Sequence, residues 1–186
     1  MASEVTGCQR VSVLCVKSPT GCCIWISVFL LLIFIQVSAS LVYFGGVFAI
    51  FDDVLISPFQ ICPRHGELYF YSVRGAESKI NINILEPAVI LSLYVSVVLV
   101  AFALLSMVLA AYTKDKPTLK CSMVCQAASG LLIVIGIIGF MILNHSCLIG
   151  GHMMLSFYVC VGVQVELALT TVLTYALGRR LTPNWK

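Results

Sequence analysis

The stretch AVILSLYVSVVLVAFALLSMVLAAYTKDKPTLKCSMVCQAASGLLIVIGIIGFMIL, residues 88–143, decides the fold. It holds two runs, 88–112 and 121–143, that contain no Asp, Glu, Lys or Arg. Between them lies a short segment bearing Lys114, Lys116 and Lys120. A bilayer is spanned by about 20 apolar residues, and both runs exceed that length. Two further apolar runs are found at residues 24–47, also free of charge, and 153–177, where Glu166 is the one charged residue. Backbone polar groups inside lipid have to be satisfied within the segment, so all four runs are expected to be helices. The predicted fold is therefore an all-α membrane bundle of four transmembrane helices.

Composition agrees. The chain is 60% hydrophobic and 10% charged, whereas soluble domains run near 45–50% apolar and about 25% charged. Too few charges remain to coat a water-soluble exterior. The formal charge of +3 is small and scattered, which argues against a nucleic-acid partner. Phosphate-cradling glycine loops, HExxH pairs and Ser/His/Asp constellations do not occur, so neither an enzyme activity nor a cofactor or metal site is expected. The first apolar run begins after some twenty residues and is longer than the apolar region of a cleaved signal peptide.

Lysine and arginine placement predicts the orientation. Arg10 and Lys17 precede the first run, the three lysines above follow the second, and Arg179, Arg180 and Lys186 follow the fourth. Those eight contrast with three, Arg64, Arg74 and Lys79, in a long loop that also holds five acidic residues. Both termini are thus expected in the cytoplasm. The expected order is a tail (1–23), the first span (24–47), an extracellular loop (48–87) and the second span (88–112). A cytoplasmic loop (113–120), the third span (121–143), a short extracellular loop (144–152), the fourth span (153–177) and a cytoplasmic tail (178–186) complete it.

The long outer loop includes ELYFYSVRGAESKININI, residues 67–84. Apolar and polar residues alternate in it, with Ile80, Ile82 and Ile84 on one side and Asn81 and Asn83 on the other. A small extracellular β-hairpin over 67–85 is predicted, turning at RGAES, where Gly75 supplies the permissive backbone. A lone hairpin is marginal in water, so it is expected to rest on the helix ends or to pair with more chain, such as FDDVLISPFQ (51–60). Tyr69, Phe70 and Tyr71 are candidates for a recognition surface; packing of the loop onto the bundle is the alternative.

Of nine cysteines, Cys62 and Cys147 fall on the outer side, one per outer loop. An oxidising compartment favours a disulfide between them. Cys22 and Cys23 lie where the first span enters the membrane, and Cys121 and Cys125 lie one turn apart at the start of the third. Juxtamembrane thiols are candidates for S-palmitoylation, with a role as small apolar fillers as the alternative. Asn144 opens the sequon NHS, a candidate glycosylation site weakened by its closeness to the bilayer.

Within the spans, Glu166 is the one charged residue near mid-membrane, and Gln36 lies at a similar depth. An intramembrane carboxyl is costly and seeks a partner or a wet cavity, so a Gln36–Glu166 hydrogen bond is expected. The third span carries Gly130, Gly136 and Gly139, and the fourth Gly162, which permit close helix approach.

The cytoplasmic termini, long first outer loop with strand character and short second one resemble claudin, peripheral myelin protein and clarin-type tetraspan proteins. GLLIVIGIIGFMI (130–142) is similar to claudin third helices, while LYFYSVRGAES (68–78) and AYTKDKP (111–117) are similar to clarin segments. The resemblance implies a non-enzymatic multi-pass plasma-membrane protein that acts through protein–protein contacts or as a homo-oligomer. The long loop departs from the claudin pattern: it has no Trp and a single cysteine, Cys62, so the intraloop disulfide of claudins cannot form. The ending RRLTPNWK also lacks a claudin-type scaffold-docking terminus. Two other functions compete. A small transporter or channel component would use Glu166, and a membrane thiol oxidoreductase would want a CxxC pair that the chain does not have.

Overall fold

The computed structural model describes residues 19–43, 47–51, 54–58, 60–61, 69–70, 85–145 and 152–180. Four long helices dominate: α1 (Pro19–Ser38), α2 (Leu85–Thr113), α3 (Lys116–Leu143) and α4 (Leu155–Arg180). Each is long and apolar enough to cross a membrane. The helices extend beyond the apolar runs. Pro19 opens α1, a position where its missing N–H costs nothing. Polar Lys116–Lys120 forms the first turn of α3 around Pro117, because a first turn needs no internal amide bonds. At its far end α1 relaxes into a π-helical turn, Ala39–Tyr43, and the chain is extended from Ala49, so this span ends earlier than residue 47.

The helices α2 and α3 are joined by only Lys114 and Asp115. Lys114 adopts a left-handed backbone (φ 59°), and its amide donates to the Ala110 carbonyl at 2.9 Å, which stops α2 and reverses the chain. The two helices are therefore antiparallel, and they form the most extensive pair. α3 also packs on α4, α4 on α1, and α1 on α2, closing a ring of four.

The opposite end is capped by short strands: β1 (Ala49–Phe51), β2 (Val54–Ile56), β3 (Gln60–Ile61), β4 (Tyr69–Phe70) and β5 (His152–Met153). One sheet has the order β2–β1–β5, all antiparallel, with Ala49 opposite Ile56 and Met153, and Ile50 opposite Leu55 and His152. The α1–α2 and α3–α4 connections are thus stitched together at one end of the bundle. In the second sheet Gln60 faces Phe70 and Ile61 faces Tyr69.

Of the hairpin expected over 67–85, only Tyr69–Phe70 and Leu85 fall among the described residues. Tyr69–Phe70 is a strand, and it pairs with Gln60–Ile61, at the end of the segment FDDVLISPFQ, the expected further partner. Leu85, expected to end a strand, instead begins α2. Residues 71–84, including Tyr71 and Gly75, lie outside the described residues.

Side chains on the inner faces are fully buried, among them Leu30 and Ile33 of α1, Leu93 and Val100 of α2, Ile133 of α3, and Val163 and Leu167 of α4. Large apolar side chains also cover the outside, such as Phe29, Phe102, Leu131 and Leu169, each about half exposed or more. A helix apolar all round is at home in lipid. The sheet and the bundle meet at Phe48. It is wholly buried, edge-on to Phe140 of α3 (ring centroids 5.1 Å apart) and to Phe157 of α4 (6.3 Å).

Candidate functional site

The bundle interior contains a ladder of polar side chains on one face of α3. Ser122, Gln126 and Ser129 recur at helical spacing, and all three are fully buried. Ser122 Oγ donates to the Ala103 carbonyl of α2 (2.7 Å), and Ser129 Oγ to the Ser96 carbonyl (3.0 Å). Gln126 Nε2 donates to Ser122 Oγ (3.1 Å) and to Thr174 Oγ1 of α4 (3.3 Å). Thr174 in turn donates to the Thr170 carbonyl (2.7 Å). The ladder therefore joins α3 to both of its neighbours. None of these groups is titratable or nucleophilic, and each is engaged, so the ladder's chemistry is cohesion. Sequence reasoning missed it; the signal was the shared face of residues 122, 126 and 129 and the matching pair 170 and 174.

The polar pair singled out from sequence is not brought together. Gln36 and Glu166 are each half-buried on adjacent helices, yet no hydrogen bond joins them, and the Glu166 carboxyl has no side-chain or backbone partner among the described residues. Spacing along two spans fixed their depth but not their rotation about the helix axes. Gln164 Nε2, two residues before it on α4, is buried and without a hydrogen bond among the described residues.

The glycines divide into two kinds. A Cβ on Gly136 would lie 2.7 Å from Leu93 Cγ and 2.8 Å from Ser92 Oγ, and one on Gly139 would lie 2.5 Å from Val89 Cγ2. These two glycines let α2 and α3 touch. Gly130 would make only an ordinary contact with Gln164, and Gly162 would meet nothing within 4 Å. Contrary to expectation, Gly162 packs against no neighbour among the described residues. It faces open space one turn from Glu166.

Cys23 is buried and its thiol free, Cys121 is exposed, and Cys125 is half-buried. Cys22 is buried as well. Cys62 and Cys147 lie outside the described residues. Asn144 caps α3: it is buried, and its side-chain Nδ2, the atom a glycan would occupy, donates to the Phe140 carbonyl at 3.1 Å. Tyr69 and Phe70 lie on β4 at the sheet end. Among the described residues no group of three or more His, Cys, Asp or Glu is placed to hold a metal ion.

Charge separates along the bundle axis. Lys114, Lys116, Lys120, Arg179 and Arg180 gather at the end opposite the sheets, and the described residues of the sheet end include no lysine or arginine. The fold thus defines a class: a mostly helical protein built of four helices fit to span a membrane. No protein-family model matches the chain, and no curated protein matches it.

Proposed function

We propose that this chain is a non-enzymatic, multi-pass plasma-membrane protein that works through protein–protein contacts, in a structural, adhesive or accessory-subunit role of the claudin or clarin kind. Both termini are cytoplasmic in this reading, and the sheets face outward. The segregation of basic residues at the end away from the sheets supports that orientation.

One observation carries the functional reading. Glu166 stands at mid-span, half-buried, with no partner among the described residues, beside the open Gly162 and the exposed Val165 and Leu169. A carboxyl so placed is costly in lipid alone. A second helix seated over Gly162 could approach closely and donate or accept its hydrogen bond. The inward neighbours at this level, Val163 and Leu167 on α4 and Leu30 and Ile33 on α1, are apolar and fully buried. They favour a lateral contact over an ion path.

A photo-crosslinking residue at Val165, expressed in cells, tests this. A discrete protein adduct is expected, reduced about tenfold or more in Glu166→Leu, with Glu166→Gln retaining most of it. Bundle stability should stay within about 0.5 kcal/mol in both variants, since no internal partner is lost. Proton or cation flux in proteoliposomes that Glu166→Gln abolishes, with no protein adduct, would replace this account by the transporter reading.

A further inference from the structure

The basic end of the bundle contains a groove of about 270 Å³ between the first turns of α3 and the last turns of α4. Lys116, Lys120 and Arg179 line it together with Leu119, Met123 and Tyr175. The three cations are free of ion pairs among the described residues. Arg179 lies over the Tyr175 ring, 5.9 Å from its centroid, a cation–π contact that holds the guanidinium near the groove. No acidic residue lines the groove; Asp115, next to Lys116 in sequence, is exposed and outside the lining.

Gly178 forms part of the floor, where a Cβ would come within 3.5 Å of Leu119 Cδ2. Thr174 adds an inner wall, its hydroxyl already committed to the Thr170 carbonyl and the Gln126 amide. The lining that remains is thus apolar below and cationic above. The arrangement lies where a membrane-spanning helix pair leaves the hydrocarbon region. Exposed apolar side chains, Val124 and Leu131 on α3 and Val172 and Leu173 on α4, continue from it along the helices.

We propose that this groove binds the headgroup of an anionic phospholipid. The phosphate and its acidic substituent sit among Lys116, Lys120 and Arg179, the glycerol lies over Leu119 and Tyr175, and the acyl chains follow the apolar helix faces. Juxtamembrane basic residues attract anionic lipids of the cytoplasmic leaflet, and basic pockets between helices hold their headgroups. A lone cluster of surface cations would attract such lipids loosely. The groove adds a bounded volume, an apolar floor and an outlet along two helices. Only the choice of leaflet rests on the orientation proposed above; binding itself does not.

The test is native mass spectrometry of the full chain, released from micelles after titration with phosphatidylserine or with phosphatidylcholine of the same acyl chains. Detergent removes leaflet sidedness, so a wrong orientation cannot produce a negative result. Phosphatidylserine should be retained at concentrations on the order of tenfold lower than phosphatidylcholine. The triple variant Lys116→Gln/Lys120→Gln/Arg179→Gln should lose that preference. Gly178→Leu, which fills the floor and keeps every charge, should weaken phosphatidylserine binding, whereas Lys114→Gln and Arg180→Gln, outside the lining, should leave it intact.

Equal retention of the two lipids by the wild-type chain would overturn the proposal without recourse to any variant. So would a preference that survives the triple substitution. Displacement of the lipid by soluble phosphoserine at equal concentration would assign the groove to a free anion and defeat the lipid reading.

Discussion

Phe48→Ala is expected to destabilise the protein by about 3–5 kcal/mol, the range for removing a fully buried aromatic side chain. The ring is enclosed by Phe140 of α3 and Phe157 of α4. Its backbone is fixed on both sides, the amide donating to the Ile56 carbonyl (2.8 Å) and the carbonyl accepting from the Met154 amide (2.8 Å). The bonds hold the backbone in place, so the cavity left by the ring cannot be closed by local collapse. For a chain of this size the loss corresponds to a fall in Tm of about 6–20 °C. A thiol-reactive fluorophore reports it, because Cys23 and Cys160 are free and buried until the bundle opens. Phe48→Leu, which keeps most of the volume, should fall well short of that. A change under about 2 °C for Phe48→Ala would show that Phe48 does not join sheet to bundle.

The second large effect is at Gly136. Even alanine there puts Cβ at 2.7 Å from both Cγ and Cδ2 of Leu93. Leu93 is itself fully buried, and Cγ is close to its backbone, so the side chain cannot swing clear. The helices must part. Gly136→Ala should cost about 1–3 kcal/mol by overpacking, and Gly136→Leu should prevent recovery of a monodisperse protein. Gly162→Ala is the control: with nothing within 4 Å, it should leave stability unchanged or raise it slightly, since alanine is the better helix former. Measured in the same assay, equal effects at the two sites would contradict the close α2–α3 approach.

How far these features can be read from sequence depends on whether they are local. Four helices follow from run length and the scarcity of charge, both local properties, and the sequence reading places all four. Their ends shift because apolarity marks what lies in lipid, while the helix continues through Lys116–Lys120 until capping stops it. Strand pairing is not local. Period-two alternation identifies Tyr69–Phe70 as strand but does not choose between Gln60–Ile61 and a segment beyond RGAES. The β1–β2 pair had its own signal, two apolar triplets around Asp52–Asp53, which the alternation of the longer segment overshadowed.

The polar interior shows the same division. Glu166 stands out by charge, and its depth is legible, but its partner was assigned by depth alone. Gln126 carries no charge and sits among alanines and serines, so its central place emerges only when α3 is read around its circumference. Once it is, Ser122, Gln126 and Ser129 share one face, with Gly136 farther along the same helix. Packing between spans depends on the rotation of each helix, which a run of apolar residues leaves open.

The most direct test of the proposed architecture is accessibility of two epitope tags in intact cells, one inserted at Gly75 in the long loop and one after Lys186. Antibody should reach the Gly75 tag without permeabilisation and the Lys186 tag only after it. That result would place the sheets outside and the basic groove against the cytoplasmic leaflet. A Lys186 tag open at the surface with the Gly75 tag hidden would invert the bundle and contradict the account, as would both tags exposed, since the three spans between them put the two tags on opposite faces.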